Sequence, residues 1–242
     1  MITDKMIPNI EQRMSAWLGI QEQLLKERPP EPRPAITISR QYGCDGYPLA
    51  ETLKQMLEEK TGDLWTIFDK ALIERVSNDT GLSERLLSTL GDVSKPLDEI
   101  MGTLMPKWKT HTEAYRLLAR QVIALANQGN VIIVGRGGAF LTQRFPNCFH
   151  FRLVAPLEYR IQSIRQRLNI PYAEAKTMVI ENEKARDRFI ESLLNCSIDD
   201  PHYYHCVFNT GKSKIPSIAR CILNLTFDPD PASLHRSQKA QP

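Results

Sequence analysis

Apolar positions along the 242-residue chain fall into short blocks, and their spacing changes abruptly near residue 34. Between Asn9 and Arg28, Met14, Trp17, Leu18, Leu24 and Leu25 recur at roughly helical intervals, which predicts an amphipathic helix. The run PPEPRP, residues 29–34, stops it, because proline fixes φ and removes a backbone donor. Such a run makes a stiff connector. The β-branched run from Ala35 to Ser39 then predicts a strand, and Leu49, Leu53, Met56 and Leu57 mark a helix after a turn-rich stretch. Further strands are expected at Leu64–Phe68, Val131–Val134, Phe149–Val154 and Tyr203–Phe208, with helical patterns between nearly every pair. Short apolar strands alternating with helices predict a parallel α/β sheet covered on both faces.

The interval from Lys70 to Gln128 carries no strand pattern. Leu72, Ile73, Val76, Leu86, Leu87, Leu97, Ile100, Met101, Tyr115, Leu118, Val122 and Leu125 predict several helices there, an insertion large enough to shape a pocket. Three segments follow: an N-terminal helix and linker (1–34), a main domain (35–225) and a flexible tail (226–242). The first helix is expected to pack on the main domain or on a dimer partner.

Composition narrows the chemistry. A chain with 42% hydrophobic residues can fill a core, and a net charge of +3 is too small a surplus to argue for nucleic acid. Five cysteines, odd in number and without a CxxC, suit reduced thiols in the cytoplasm rather than a disulfide framework. No segment approaches the ~20 apolar residues of a membrane span. His111, His150, His202 and His205 lack metal-ligand spacing, so no metal site is expected from protein side chains.

Two strand ends carry candidate chemistry. After the first strand comes SRQYGCDGYPLA (residues 39–50), a glycine turn opening a helix, where free amides and the helix dipole favour an anion. It fails the G-x-x-x-x-G-K-[ST] pattern, since Tyr47 and Pro48 follow Gly46, and an ordinary tight turn remains the alternative. Arg40 is placed to compensate for the missing lysine, because a guanidinium grips phosphate with two hydrogen bonds. Cys44, near a helix start, lies in a setting that can lower a thiol pKa. After the third strand, Arg136 sits between glycines where open α/β sheets bind ligands. Reading Gly135-x-Gly137 as a dinucleotide fingerprint would need a small residue where Phe140 stands. Arg186 and Arg188 are two apart and so splay by roughly 200° on a helix. Asp69 suits a helix cap, a substrate contact, or both.

These stretches resemble the cytidylate kinase-like family. ITISRQYGCDGYPLAETL (36–53) looks like its lysine-free opening, S-R-[QE]-[FY]-G-S-G-G, with Cys44 and Asp45 departing from the pattern. WTIFDKALIERV (65–76) resembles F-Y-D-K-[ED]-L-I, and VIIVGRGGAFL (131–141) resembles V-I-V-G-R-G-A. FRLVAPLEYRIQSIRQR (151–167) with ENEKARDRF (181–189) resembles a strand, a helix and a mobile lid, spanning about 170–195. YYHCVFNTGKSKIPSIARCI (203–222) is similar to the closing strand–helix unit. The resemblance implies a three-layer P-loop NTPase or nucleoside-monophosphate-kinase-like fold with five parallel strands and a helical insertion. It implies transfer of the ATP γ-phosphoryl group to a nucleoside monophosphate, CMP or dCMP first, with Mg²⁺ accompanying ATP. Ser39, Arg40, Gln41, Tyr42, Gly43, Cys44, Asp45 and Gly46 would hold the donor; Asp69, Lys70, Arg136, Gly137 and Arg160 the acceptor. Arg40, Arg136, Arg186 and Arg188 would act in catalysis. Asp45 puts a negative charge where a phosphate would lie. Small nucleotides would be the partners, with no nucleic acid or membrane, and a homodimer through the N-terminal helix is one option. The alternatives are a nucleotide-binding regulator without turnover and a kinase for another small phosphate or hydroxyl acceptor.

Overall fold

In the computed structural model, which describes residues 9–24, 33–78, 112–194 and 196–227, strand β1 (Ala35–Arg40) lies at the centre of a five-stranded sheet. The order is β2-β3-β1-β4-β5, with β2 spanning Thr66–Phe68, β3 Val131–Val134, β4 Cys148–Val154 and β5 Cys206–Asn209. Every pairing is parallel, and Ala35 stands opposite both Val131 and Cys148. All strands therefore end at one edge, where the turns after β1 and β3 meet.

Side-chain alternation along the strands explains the three layers. Ile36, Ile38, Ile132, Val134, Phe151 and Leu153 pack with Leu49, Leu53 and Leu57 of α2 (Gly46–Thr61) and with Ile218 and Ile222 of a C-terminal helix, Ile215–Phe227. The opposite face carries Ala35, Val131 and Ile133 against Leu72 and Ile73 of α3 (Lys70–Asn78) and Leu118 and Val122 of α4 (Thr112–Gln128). A short helix, α5 (Gly138–Leu141), follows β3. Helices α6 (Leu157–Leu168) and α7 (Tyr172–Leu194) share a small cluster of their own, Ile161, Ile164, Ala175 and Val179, against which Tyr42 packs. The span expected as a lid, about 170–195, is largely the single helix α7.

The N-terminal helix, α1 (Ile10–Leu24), packs on its own domain: Met14 and Trp17 are buried, and Trp17 meets Phe68 edge-on at 5.7 Å. Two strand boundaries move from the sequence expectation. Pro201 and the Asp200 carboxylate, which accepts from the His202 amide, hold Tyr203 in a tight turn, so β5 starts at Cys206. At β2 the Trp65 amide donates to Glu58 instead of entering the ladder, and the strand begins at Thr66. The expected helices around Leu86, Leu87, Leu97, Ile100 and Met101, most of the proline connector and the tail beyond residue 227 lie outside the described residues. Among the described residues no helix is long and apolar enough to cross a membrane.

Candidate functional site

The turn after β1 is held on all sides by distant elements. The Gln41 amide donates to the Leu153 carbonyl, and Gln41 Oε1 accepts from the Ala155 amide, so Gln41 braces the turn to the end of β4. Gly43 has φ +92°, and a Cβ there would stand 2.7 Å from the Arg160 carbonyl; only glycine fits that approach. Arg160 of α6 donates from Nε to the Ala155 carbonyl (3.1 Å) and from Nη1 to the Tyr42 carbonyl (3.4 Å). Glu183 of α7 accepts the Tyr42 amide at 2.5 Å and lies 3.6 Å from Arg160 Nη1. A carboxylate of the protein thus already sits on one amide of the turn.

The Asp45 carboxylate does not reach into the mouth of the turn, contrary to the sequence expectation. It accepts from Ser163 (2.9 Å) and Tyr159 (3.3 Å), both on α6. Cys44 also departs from expectation, because it is buried and desolvation pushes its thiol up rather than down. Ser39 accepts from Nη1 of the buried Arg152 (3.1 Å) and from Tyr204 (3.3 Å), which fixes its hydroxyl at the floor.

The turn after β3 is built differently. Gly135, Arg136 and Gly137 have φ of +84°, +58° and +69°, three consecutive left-handed residues. Arg136 is the strained member, at a cost of ~1–2 kcal/mol for a residue with a Cβ. Its Nη2 donates to Glu74 of α3 at 2.9 Å. Gly135 leaves room for Arg40: a Cβ at Gly135 would lie 1.9 Å from Arg40 Nη1. The Arg40 side chain passes over Gly46 and rests its guanidinium on the end of β3.

Between the two turns lies a cavity of about 350 Å³. Among the described residues its lining includes four cations, Arg40, Lys70, Arg136 and Arg186, and no acidic residue. Arg186 reaches in from α7, donating to the Arg40 carbonyl (3.4 Å) with its guanidinium 4.9 Å from the Tyr42 ring centroid. Desolvation first, then the like charges of Arg186 and Arg136, push Arg40 down to about 9, while Asp69 and Glu183 act in the opposite direction. A guanidinium resists deprotonation, so this depression measures how poorly the cavity solvates its own charge, and an anion would relieve it.

The sequence-derived candidates therefore separate. Ser39, Arg40, Tyr42, Lys70, Arg136, Gly137 and Arg186 line the cavity. Gln41, Gly43, Cys44, Asp45, Gly46 and Arg160 shape or brace the turn. Arg188 is exposed and donates to the Lys184 carbonyl, on the side of α7 away from Arg186, as two-residue spacing requires. Asp69 caps α3 by accepting from the Leu72 amide (3.0 Å) and binds Arg13 of α1 through both oxygens (2.7 and 3.2 Å). Burial would raise its carboxyl; those hydrogen bonds outweigh it and hold the group below its usual value. Sequence reading missed Arg13, Glu74, Arg152 and Glu183. Arg152 had a signal, a cation inside the otherwise apolar strand CFHFRLV; the others had none beyond their charge.

The sequence profile of the cytidylate kinase-like family matches residues 35–212. A cytidylate kinase of Methanocaldococcus jannaschii is 28% identical over 134 residues, 53% of this chain and 75% of that protein. Among solved structures, an uncharacterized protein from Eubacterium ventriosum superposes with a TM-score of 0.64 at 15% identity, covering 81% of this chain and 99% of that one, a likeness of fold.

Proposed function

The chain belongs to the cytidylate kinase-like family, and from that premise we propose that it moves the γ-phosphoryl group of ATP to a nucleoside monophosphate, with CMP or dCMP the first acceptor to test. Its nucleotide kinase-like character follows from the family; the donor, the acceptor and the residue roles are our reading. One observation carries it: a strand-end cavity lined, among the described residues, by four cations and no carboxylate. Phosphoryl transfer asks for positioning and neutralised charge rather than covalent help, and arginines supply both.

Arg40 and the turn from Ser39 to Gly46 take the donor phosphates. Arg136, with Lys70, Gly137 and Asp69 beside it, positions the acceptor phosphate and nucleoside, and Arg136 must release Glu74 to do so. Arg186 lies between the two and neutralises charge on the phosphoryl group in flight. Arg160 supports the donor side through the Tyr42 carbonyl. Among the described residues no group of three His, Cys, Asp or Glu side chains is placed to hold a metal ion. Mg²⁺ would arrive on the nucleotide phosphates, and no protein ligand is assigned to it.

A second reading, nucleotide binding without turnover, draws on the absence of a lysine after Gly46 and on Glu183 occupying the Tyr42 amide. A transfer screen of ATP and GTP against CMP, dCMP, other nucleoside monophosphates and small hydroxyl acceptors separates the two. Formation of CDP or dCDP supports the kinase. Calorimetric binding of ATP or CMP with no transfer product supports the regulator, and absence of binding by any nucleotide sinks both.

A further inference from the structure

The family match begins at residue 35, yet a side chain from α1 reaches the edge of the site. Arg13 grips both oxygens of Asp69, and its guanidinium lies 5.4 Å from the ring centroid of Tyr47, the residue after Gly46. Its Nε is buried without a hydrogen-bond partner among the described residues, a position that packing alone would not favour. The helix carrying it is anchored one turn away, by Trp17 on Phe68, the residue before Asp69. Arg13 is therefore held at Asp69 by a dedicated contact.

The sheet order shows what that contact prevents. Strand β3 lies between β1 and β2, and the Arg40 guanidinium rests on Gly135 at the end of β3, so it faces the end of β2, where Asp69 follows. Among the described residues no carboxylate forms an ion pair with Arg40. Asp69 is the carboxylate next to β2, and Arg13 occupies both of its oxygens. After Arg13, Arg40 is the cation whose charge acts on the Asp69 carboxylate.

We propose that Arg13 is a positioning residue of the phosphate cavity: by holding both oxygens of Asp69 it keeps that carboxylate from neutralising Arg40, and so leaves the Arg40 guanidinium to an incoming phosphate. The N-terminal helix is then part of the functional site. This rests on the phosphate-binding part of the function proposed above and adds a residue outside the family-matched span to it. Among the described residues the charged groups that act on Asp69 are Arg13 from α1 and Arg40 from the β1 end, and Tyr47 of α2 lies near Arg13 and Asp69.

The test is ATP binding to the full chain by calorimetry, without acceptor, at low and high salt. Arg13→Gln should weaken ATP binding by roughly tenfold or more at low salt, and by less at high salt, because a freed carboxylate then competes for Arg40. Adding Asp69→Asn should restore affinity to within about threefold of wild type, since the competing charge is gone. Arg13→Lys keeps a cation at Asp69 and leaves Met14 and Trp17 in place; it should retain affinity within about threefold, and it serves if the glutamine variant does not fold. Wild-type affinity in Arg13→Gln overturns this inference and leaves the proposed function standing. A double variant as weak as the single one assigns Arg13 a packing role and also overturns it. A wild-type protein that binds no ATP overturns both.

Discussion

The turns after β1 and β3 use the same ingredients, glycines and an arginine at the end of a parallel strand, but different parts of the molecule hold them. The β1 turn is tied to β4 through Gln41 and to α6 and α7 through Arg160 and Glu183, contacts that span more than a hundred residues of chain. The β3 turn, three left-handed residues in succession, is tied to α3 through Arg136 and Glu74 and to β1 through the Gly135 amide on the Ile38 carbonyl. The cavity thus has a half held by α6 and α7 and a half preset by the sheet and α3.

The sharpest way to break the half held by α6 and α7 is Gly43→Ala. A methyl group 2.7 Å from the Arg160 backbone carbonyl, at φ +92°, has no flexible neighbour to displace. We expect a loss of about 2–3 kcal/mol in denaturant unfolding and ATP binding weakened by roughly a hundredfold. In the preset half, Arg136→Ala should reduce kcat by well over ~10-fold with the fold intact by circular dichroism. Arg136→Gly should lose the same activity yet gain ~1 kcal/mol of stability, because it relieves the left-handed strain. Equal stability of the alanine and glycine variants would show that the backbone there is unstrained.

A smaller effect concerns Asp69. Its carboxyl titrates lower in the folded protein than the ordinary 3.8. Its ionised form therefore contributes stability that is fully present above 3.8 and is lost as pH falls through the folded value. Wild type should exceed Asp69→Asn by ~1 kcal/mol at neutral pH, with the margin shrinking as pH falls below 3.8 in denaturant titrations. The smallest change is expected at Asp45→Asn: with the carboxylate turned onto Ser163 and Tyr159, ATP affinity should move by less than about threefold. A large gain on neutralisation would return Asp45 to the mouth of the turn.

Much of this architecture was legible in the chain. Apolar runs such as VIIV and AITIS are short, β-branched and bounded by turn residues, so all five strands and the three-layer fold could be read from pattern. Arg40 and Arg136 were visible because cations at strand ends, or flanked by glycine, stand out from their surroundings. Arg186, inside a helix, was reached only through the resemblance of ENEKARDRF to a lid. The carboxylates were not. Whether Glu74, Asp69 and Glu183 face solvent, cap a helix or meet an arginine depends on helix rotation and on contacts between residues 56 to 141 apart in sequence. Local spacing fixes none of these. Asp45 shows the same limit in reverse, since its position suggested repulsion of phosphate and the neighbouring helix supplied hydroxyls that turn it away.

Glu183 on the Tyr42 amide makes the resting protein its own competitor. A tethered anion is present at a fixed high effective concentration, whatever the nucleotide level in solution. Under the proposed function, a triphosphate entering the turn would have to displace Glu183 from the Tyr42 amide, so its affinity would be the difference between two occupancies.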